Sequence, residues 1–193
     1  MSDVKSEPLR FVERRKLLRG VAGLSGLPFM QAALAREPNE MPPQAGDRLV
    51  FVQGDRKGAV IKVEDLKLGG PQELAFPMDP STKTVRDGNR LNEVLVIRLK
   101  EDAFDGETKP HTGGGVVAYS AICTHQGCDV SQWKTDKNTL LCVCHGTEYD
   151  PLQRAAVVFG PAPRRLPILP LSVEGGVLVV AAGFRSKPGF KDM

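Results

Sequence analysis

Apolar positions in this chain come in short β-branched runs separated by turn formers. "LVFVQ" from Leu49, "AVIKV" from Ala59, "EVLVIRL" from Glu93, "VVAYS" from Val116, "TLLCV" from Thr139 and "VLVVAA" from Val177 each read as a strand. Gly175-Gly176, just before the last run, predicts a hairpin turn. The stretch "LGGPQELAFPMDPSTKTVRDGNRLN" (68–92) is rich in turn residues and predicts a loop, as does "EDAFDGETKPHTGGG" (101–115). Long 3.6-residue periodicities are hard to find after the first few dozen residues, and the 20 glycines and 15 prolines are scattered. The pattern predicts an all-β, antiparallel protein. At 193 residues the chain is long enough for one domain with a real core and a subdomain inserted between its strands.

Charge changes the picture only at the N-terminus. Of 26 basic and 23 acidic side chains, six (Lys5, Arg10, Arg14, Arg15, Lys16, Arg19) and three (Asp3, Glu7, Glu13) lie in residues 1–35, which leaves 20 of each in the rest. The net charge of +3 is therefore not a surface patch, and nothing argues for nucleic-acid binding. Within residues 1–35 the pair Arg14-Arg15 precedes Leu17-Leu18, then a weakly apolar stretch ends in Ala33-Leu34-Ala35. That layout is an export signal, and the paired arginines resemble a twin-arginine signal, although Glu13 stands where that family often has Ser or Thr. An amphipathic helix and a retained membrane anchor are the alternatives. Against the anchor, only 16 residues separate Arg19 from Arg36, and Pro28 and three glycines interrupt them, where a span takes about 20 apolar residues. The expected organisation is a signal segment at 1–35, a Pro-rich linker at 36–47, the domain at 48–184 and a mobile tail at 185–193.

All four cysteines and two of the three histidines fall in two hexapeptides, "CTHQGC" at Cys123–Cys128 and "CVCHGT" at Cys142–Thr147. Each offers a Cys and a His close enough to chelate one metal, Cys123 with His125 and Cys142 with His145, plus a second cysteine, Cys128 and Cys144. A zinc site, a disulfide pair or an iron–sulfur cluster all answer to four cysteines. Zinc modules usually place paired cysteines before paired histidines, and neither half here does so.

The two hexapeptides resemble those of Rieske iron–sulfur proteins, Cys-Thr-His-x-Gly-Cys and Cys-x-Cys-His-Gly-Ser, with Thr147 in place of the final Ser. The resemblance is strong over about 116–166 and weak in the flanking base. It implies a Rieske-like antiparallel β-sandwich base with a small inserted cluster-binding subdomain. It also implies one [2Fe–2S] cluster with Cys123 and Cys142 on one iron and His125 and His145 on the other, and a disulfide between Cys128 and Cys144. Such a disulfide suits an exported protein. Two neutral imidazoles in place of thiolates remove negative charge and raise the potential. By the same resemblance Thr147 donates a hydrogen bond to a cluster sulfur and Tyr149 to the sulfur of Cys123, raising it further. The expected centre lies in the upper half of the roughly −150 to +300 mV Rieske range. "GPAPRRL" resembles the proline loop of cytochrome bc-type members, with Gly160, Pro161, Ala162 and Pro163 covering the cluster.

Three other residues stand out. His111, in "KPHTGGG", has no cysteine nearby and reads as solvated; Trp133 reads as a packing residue between the loops. Gln126 stands where cytochrome bc members usually carry leucine, which weakens a quinol-oxidising reading. No nucleophile–base set or phosphate loop is visible, so the expected role is an electron-transfer subunit, not a self-sufficient enzyme. The expected location is periplasmic. Partners implied by the resemblance are a cytochrome b or c, or the molybdopterin large subunit of an exported oxidase, with quinol a further candidate and membrane association through the N-terminal segment. A free-standing exported carrier is the alternative within the redox class, and a zinc-stabilised protein-binding β-module is the alternative outside it.

Overall fold

A computed structural model describes residues 36–190; the expected signal segment at 1–35 lies outside the described residues. Eleven strands are described: β1 (Arg48–Phe51), β2 (Glu73–Met78), β3 (Val94–Arg98), β4 (Val116–Ser120), β5 (Gln132–Lys134), β6 (Thr139–Cys142), β7 (Thr147–Asp150), β8 (Ala156–Phe159), β9 (Ile168–Leu169), β10 (Leu171–Glu174) and β11 (Val177–Val180). They form two antiparallel sheets: a seven-stranded base, β10-β11-β1-β2-β3-β4-β9, and a four-stranded sheet, β5-β6-β7-β8. The two edge strands of the base are consecutive in the chain, separated only by Pro170. The base is thus one sheet bent into a nearly closed, barrel-like form. Among the described residues no helix is long and apolar enough to cross a membrane.

The continuous apolar runs of β3 and β4 follow from burial on both faces. Val94, Val96, Val116 and Ala118 join Leu49, Ile61, Leu178 and Val180 in the core of the base. Leu95, Ile97, Val117 and Tyr119 point the other way, into a second core with Cys123, Val130, Leu140, Cys142, Tyr149 and Leu166. The four-stranded subdomain is therefore packed on the outer face of β3 and β4. Hydrogen bonds fix it there: Tyr119 Oη donates to the Pro151 carbonyl at 2.9 Å, Arg154 N to Thr108 Oγ1 at 2.7 Å, and Asp105 N to the Leu152 carbonyl at 3.1 Å.

The structure keeps the expected hairpin and differs from the sequence pattern elsewhere. Gly175 (φ 56°) and Gly176 (φ 82°) do close the β10–β11 hairpin, with Glu174 paired to Val177. The run at Ala59 is not a strand; only the single bridges Val50–Val60 and Lys62–Val177 hold it, although Ile61 is buried. Conversely, β2 lies inside the stretch expected to be a loop and pairs with both β1 and β3. The linker region is fastened to the base: the Arg86 guanidinium, in a buried bidentate pair with Asp47, also donates to the Pro38 carbonyl, and Asn92 Nδ2 donates to the Met41 carbonyl. The tail expected to be mobile is tied down as far as Gly189, through Arg185 N to the Ile168 carbonyl and Arg164 to the Lys187 and Gly189 carbonyls.

Candidate metal centre

Two loops with the same local geometry carry the four chelating residues. The first follows β4 and is pinched by Cys123 N donating to the Cys128 carbonyl at 2.7 Å; the second is the β6–β7 connection. In each, the carbonyl of the first cysteine accepts from the glycine four residues on: Gly127 N to Cys123 O and Gly146 N to Cys142 O, both 3.0 Å. Both glycines take φ near +75° (76° and 73°), a left-handed conformation open to glycine at little cost. That common turn is why each hexapeptide has Gly at its fifth position. It aims the cysteine inward and the histidine outward.

A disulfide joins Cys128 to Cys144, with Cα atoms 6.5 Å apart, and staples the loops together. Cys123 and Cys142 remain thiols, 1% and 2% exposed. The sulfurs of Cys128, Cys142 and Cys144 lie within 4.8 Å of one another, but the disulfide leaves only Cys142 of these able to offer a thiolate. Burial, then the neighbouring Cys123 thiol, pushes the Cys142 thiol up to about 11. Across the site the Nδ1 atoms of His125 and His145 converge to 3.2 Å, with the rings edge-on at 88°. His145 is exposed and His125 half-buried. With Nδ1 turned inward on both rings, both Nε2 atoms remain available on the outer side.

The residues fit a [2Fe–2S] cluster on two counts. The donor set is two sulfurs on the buried side and two imidazole nitrogens on the solvent side, the asymmetry that a mixed Cys/His cluster requires. Second, Thr147 Oγ1 is buried and has no hydrogen-bond partner within the protein. A buried hydroxyl without a partner costs about 1–3 kcal/mol, and a cluster sulfur between the loops is the acceptor that would relieve it. Tyr149 Oη, fully buried, lies 3.2 Å from Cys123 Sγ and 3.3 Å from Thr124 N. Burial, then the contact with Cys123, holds its hydroxyl well above the ordinary tyrosine range, so it stays a donor.

Gly160 closes the site from above. A Cβ there would stand 2.6 Å from Thr147 Cα, and φ is +95°, so only glycine lets the loop Gly160–Pro163 lie on the second hexapeptide. Ala162 is buried in the core with Cys123 and Cys142, while Pro161 and Pro163 face out. Of the remaining residues singled out, Gln126 is exposed beside His125, and His111 lies outside the centre, its imidazole pushed below its ordinary value by burial and then by Arg154 and Arg185. Trp133 packs against Gly70 of the base, where a Cβ would meet its Nε1 at 2.9 Å. Three further residues contact the loops, and no local sequence pattern assigns them a role. Thr124 was visible in the motif without a role. Arg90 donates to the Gly127 carbonyl at 2.8 Å and pairs with Asp129 at 2.5 Å; Arg164 accepts from Thr124 through its carbonyl. Only the fold brings the last two to the loops.

Comparison with known proteins identifies the family. The family model described as "Rieske [2Fe-2S] domain" matches residues 56–170. A relative from Haloferax mediterranei, described as a Rieske subunit of respiratory nitrate reductase, is 33% identical over 87% of this chain and 74% of its own length. The cytochrome bc1 complex Rieske iron–sulfur subunit of Corynebacterium diphtheriae is 44% identical over 48% of this chain, which spans only 24% of that protein. Among solved structures, a chain from a hyperthermophilic respiratory Complex III aligns over 61% of this chain and 70% of its own, at 30% identity and a TM-score of 0.41. The chain belongs to the Rieske [2Fe–2S] domain family.

Proposed function

We propose that this chain is the exported iron–sulfur subunit of a respiratory oxidoreductase, passing single electrons between a donor site and a cytochrome or other redox protein outside the cytoplasmic membrane. When bound, the cluster supplies a one-electron couple. Cys123 and Cys142 hold it from the buried side, and His125 and His145 from the surface. Thr147 Oγ1 would donate to a sulfur of the group and Tyr149 Oη to Cys123 Sγ, and both would ease added negative charge. The Cys128–Cys144 disulfide keeps the two loops in register, and Gly160–Pro163 excludes water from one flank.

The observation that carries this reading is the exposure of His145 while both candidate thiolates are buried. His125 and His145 would thus hold the solvent-facing side of the group, the side open to a redox partner. Val143, in the second hexapeptide, and Val158 and Phe159, just before the covering loop, are 52%, 52% and 65% exposed. An apolar rim of this kind suits transient contact with a protein partner. The layout of residues 1–35 and the disulfide support export to the periplasm by a twin-arginine route. The Haloferax relative and the bc1 subunits support a place in a multisubunit respiratory complex.

Affinity purification from membranes of the native host tests the proposal. A co-purifying cytochrome b or molybdopterin subunit, with a mature N-terminus near Arg36 or an intact anchor, is expected. A chain recovered alone from the cytoplasm, with Met1 still present, overturns it. Recovery alone from the periplasm selects the free-standing carrier, which the exposure of Gln126 beside His125 also favours over quinol oxidation.

A further inference from the structure

Arg164 joins two parts of the molecule that cluster binding does not by itself connect. Its Nη2 donates to the carbonyls of Lys187 at 2.9 Å and Gly189 at 2.5 Å. Its own carbonyl accepts from Thr124 Oγ1 at 2.5 Å. Thr124 lies between Cys123 and His125, and its N–H donates to Tyr149 Oη, which touches Cys123 Sγ. A line of polar contacts therefore runs from residues 187–189, through Arg164, Thr124 and Tyr149, to the sulfur of a candidate ligand. The segment 185–190 lies beyond the residues matched by the family model, which end at 170. It is nonetheless fixed in place: Arg185 N donates to the Ile168 carbonyl at 3.0 Å, and Gly189 is buried at φ +82°.

The covering loop needs such a hold. Pro161 and Pro163 contribute no N–H, their side chains face out, and Leu166 N reaches the Ala155 carbonyl only at 3.3 Å. Burial of Ala162 and Leu166 secures the two ends of the turn. The stretch between them is secured by what Arg164 grips on either side.

We propose that residues 185–190 form a strap that, through the positioning residue Arg164, holds Gly160–Leu166 closed over the cluster site and fixes the Thr124 hydroxyl beside Cys123. The proposal rests on the ligand set above only for its effect on the cluster; the strap itself is a contact within the protein. Thr124 can commit its proton to the Arg164 carbonyl only while that carbonyl is held in place. Tyr149 Oη then accepts from Thr124 N, and its own proton faces two acceptors whose positions the strap fixes, Cys123 Sγ at 3.2 Å and Thr124 Oγ1 at 3.3 Å.

Full-length chain carrying the cluster, and the same chain with iron removed, are compared as wild type, Arg164→Gln, Arg164→Lys, Gly189→Val and the Arg164→Gln/Gly189→Val double variant. Gly189→Val moves the acceptor side, because a β-branched residue does not tolerate that φ. Hydrogen exchange of residues 160–166, the rate of iron loss to bathophenanthroline, and the EPR spectrum of the reduced protein are the readouts. Arg164→Gln and Gly189→Val should each speed loop exchange and iron loss roughly tenfold, the weight of one charge-assisted bond. The double variant should be no worse than either single one, since both break the same link. Arg164→Lys, which keeps the charge and most of the reach but not the planar guanidinium, should fall between, and its EPR spectrum should lie closer to wild type than that of Arg164→Gln. Unchanged loop exchange in Arg164→Gln, or additive effects in the double variant, overturns the strap. Loop exchange that responds in the iron-free protein while iron loss and EPR do not would support the strap and count against the ligand set.

Discussion

Replacing Tyr149 with Phe removes one oxygen atom and leaves the packing intact, which makes it the sharpest probe of how the protein sets the potential. The ring is fully buried among Leu140, Leu166 and the two thiols, and Phe fills the same space. What is lost is the contact between Tyr149 Oη and Cys123 Sγ at 3.2 Å. A hydrogen bond to a charged acceptor is worth roughly 1.5–3 kcal/mol net. Only the part gained on reduction moves the potential; taking a third to a half of the bond gives about 0.5–1.5 kcal/mol. Since a tenfold change in a one-electron equilibrium is about 59 mV, the midpoint should fall by roughly 20–60 mV. Because burial holds the Tyr149 hydroxyl protonated well past its ordinary range, the size of the fall should be the same from pH 5 to pH 9. The variant also leaves Thr124 N without its acceptor, so thermal stability should drop, by about 1–3 kcal/mol. Spectroelectrochemical titration of both proteins across that pH range is the assay. An unchanged or raised midpoint would refute the role of Tyr149 as a donor to sulfur, and a fall that vanishes at high pH would refute the protonation argument.

Arg90 and Asp129 form a pair at the first hexapeptide and should shift the potential in opposite directions: Arg90→Gln lowers it and Asp129→Asn raises it, because reduction adds negative charge nearby. Shifts of the same sign in a redox titration would count against an electrostatic role. Asp47→Ala strands the Arg86 guanidinium, 5% exposed, and should cost about 3–5 kcal/mol in chemical denaturation; a cost under 1 kcal/mol would mean that water reaches the site. Glu93 is held above its ordinary value by burial and then by Asp129, opposed by Arg90. The folded state therefore binds the Glu93 proton more tightly than the unfolded one. Its contribution is full below the unfolded value and is lost as pH rises through the folded one. Glu93→Gln should flatten that slope in denaturation curves taken between pH 4 and pH 7, and an unchanged slope would show that the carboxylate is solvated.

The candidate site was legible because its chemistry is local in sequence. Each loop is closed by a bond between residues four apart, with glycine at the one position that needs a positive φ, so the hexapeptides carry their own geometry. β3, β4 and β11 were legible because burial leaves little room for polar residues: both faces of β3 and β4 are covered, and three of the four residues of β11 are buried. β2 was not, because Pro77 and the surrounding turn formers outweigh a six-residue run whose stability comes from partners on both sides. "AVIKV" misled for the opposite reason: its apolar residues serve one buried side chain, Ile61, in a segment that only touches its neighbours at single bridges. The roles of Arg90 and Arg164 depend on contacts to residues 37 and 23 positions away, which no local pattern encodes.

The central claim is that two imidazoles and two thiolates share one cluster. Pulsed EPR of the reduced protein, with every histidine labelled with nitrogen-15, tests it most directly. Two strongly coupled nitrogens should appear, from His125 and His145, and one of them should vanish in His145→Ala. No strongly coupled nitrogen, or two that survive that substitution unchanged, would contradict the assignment.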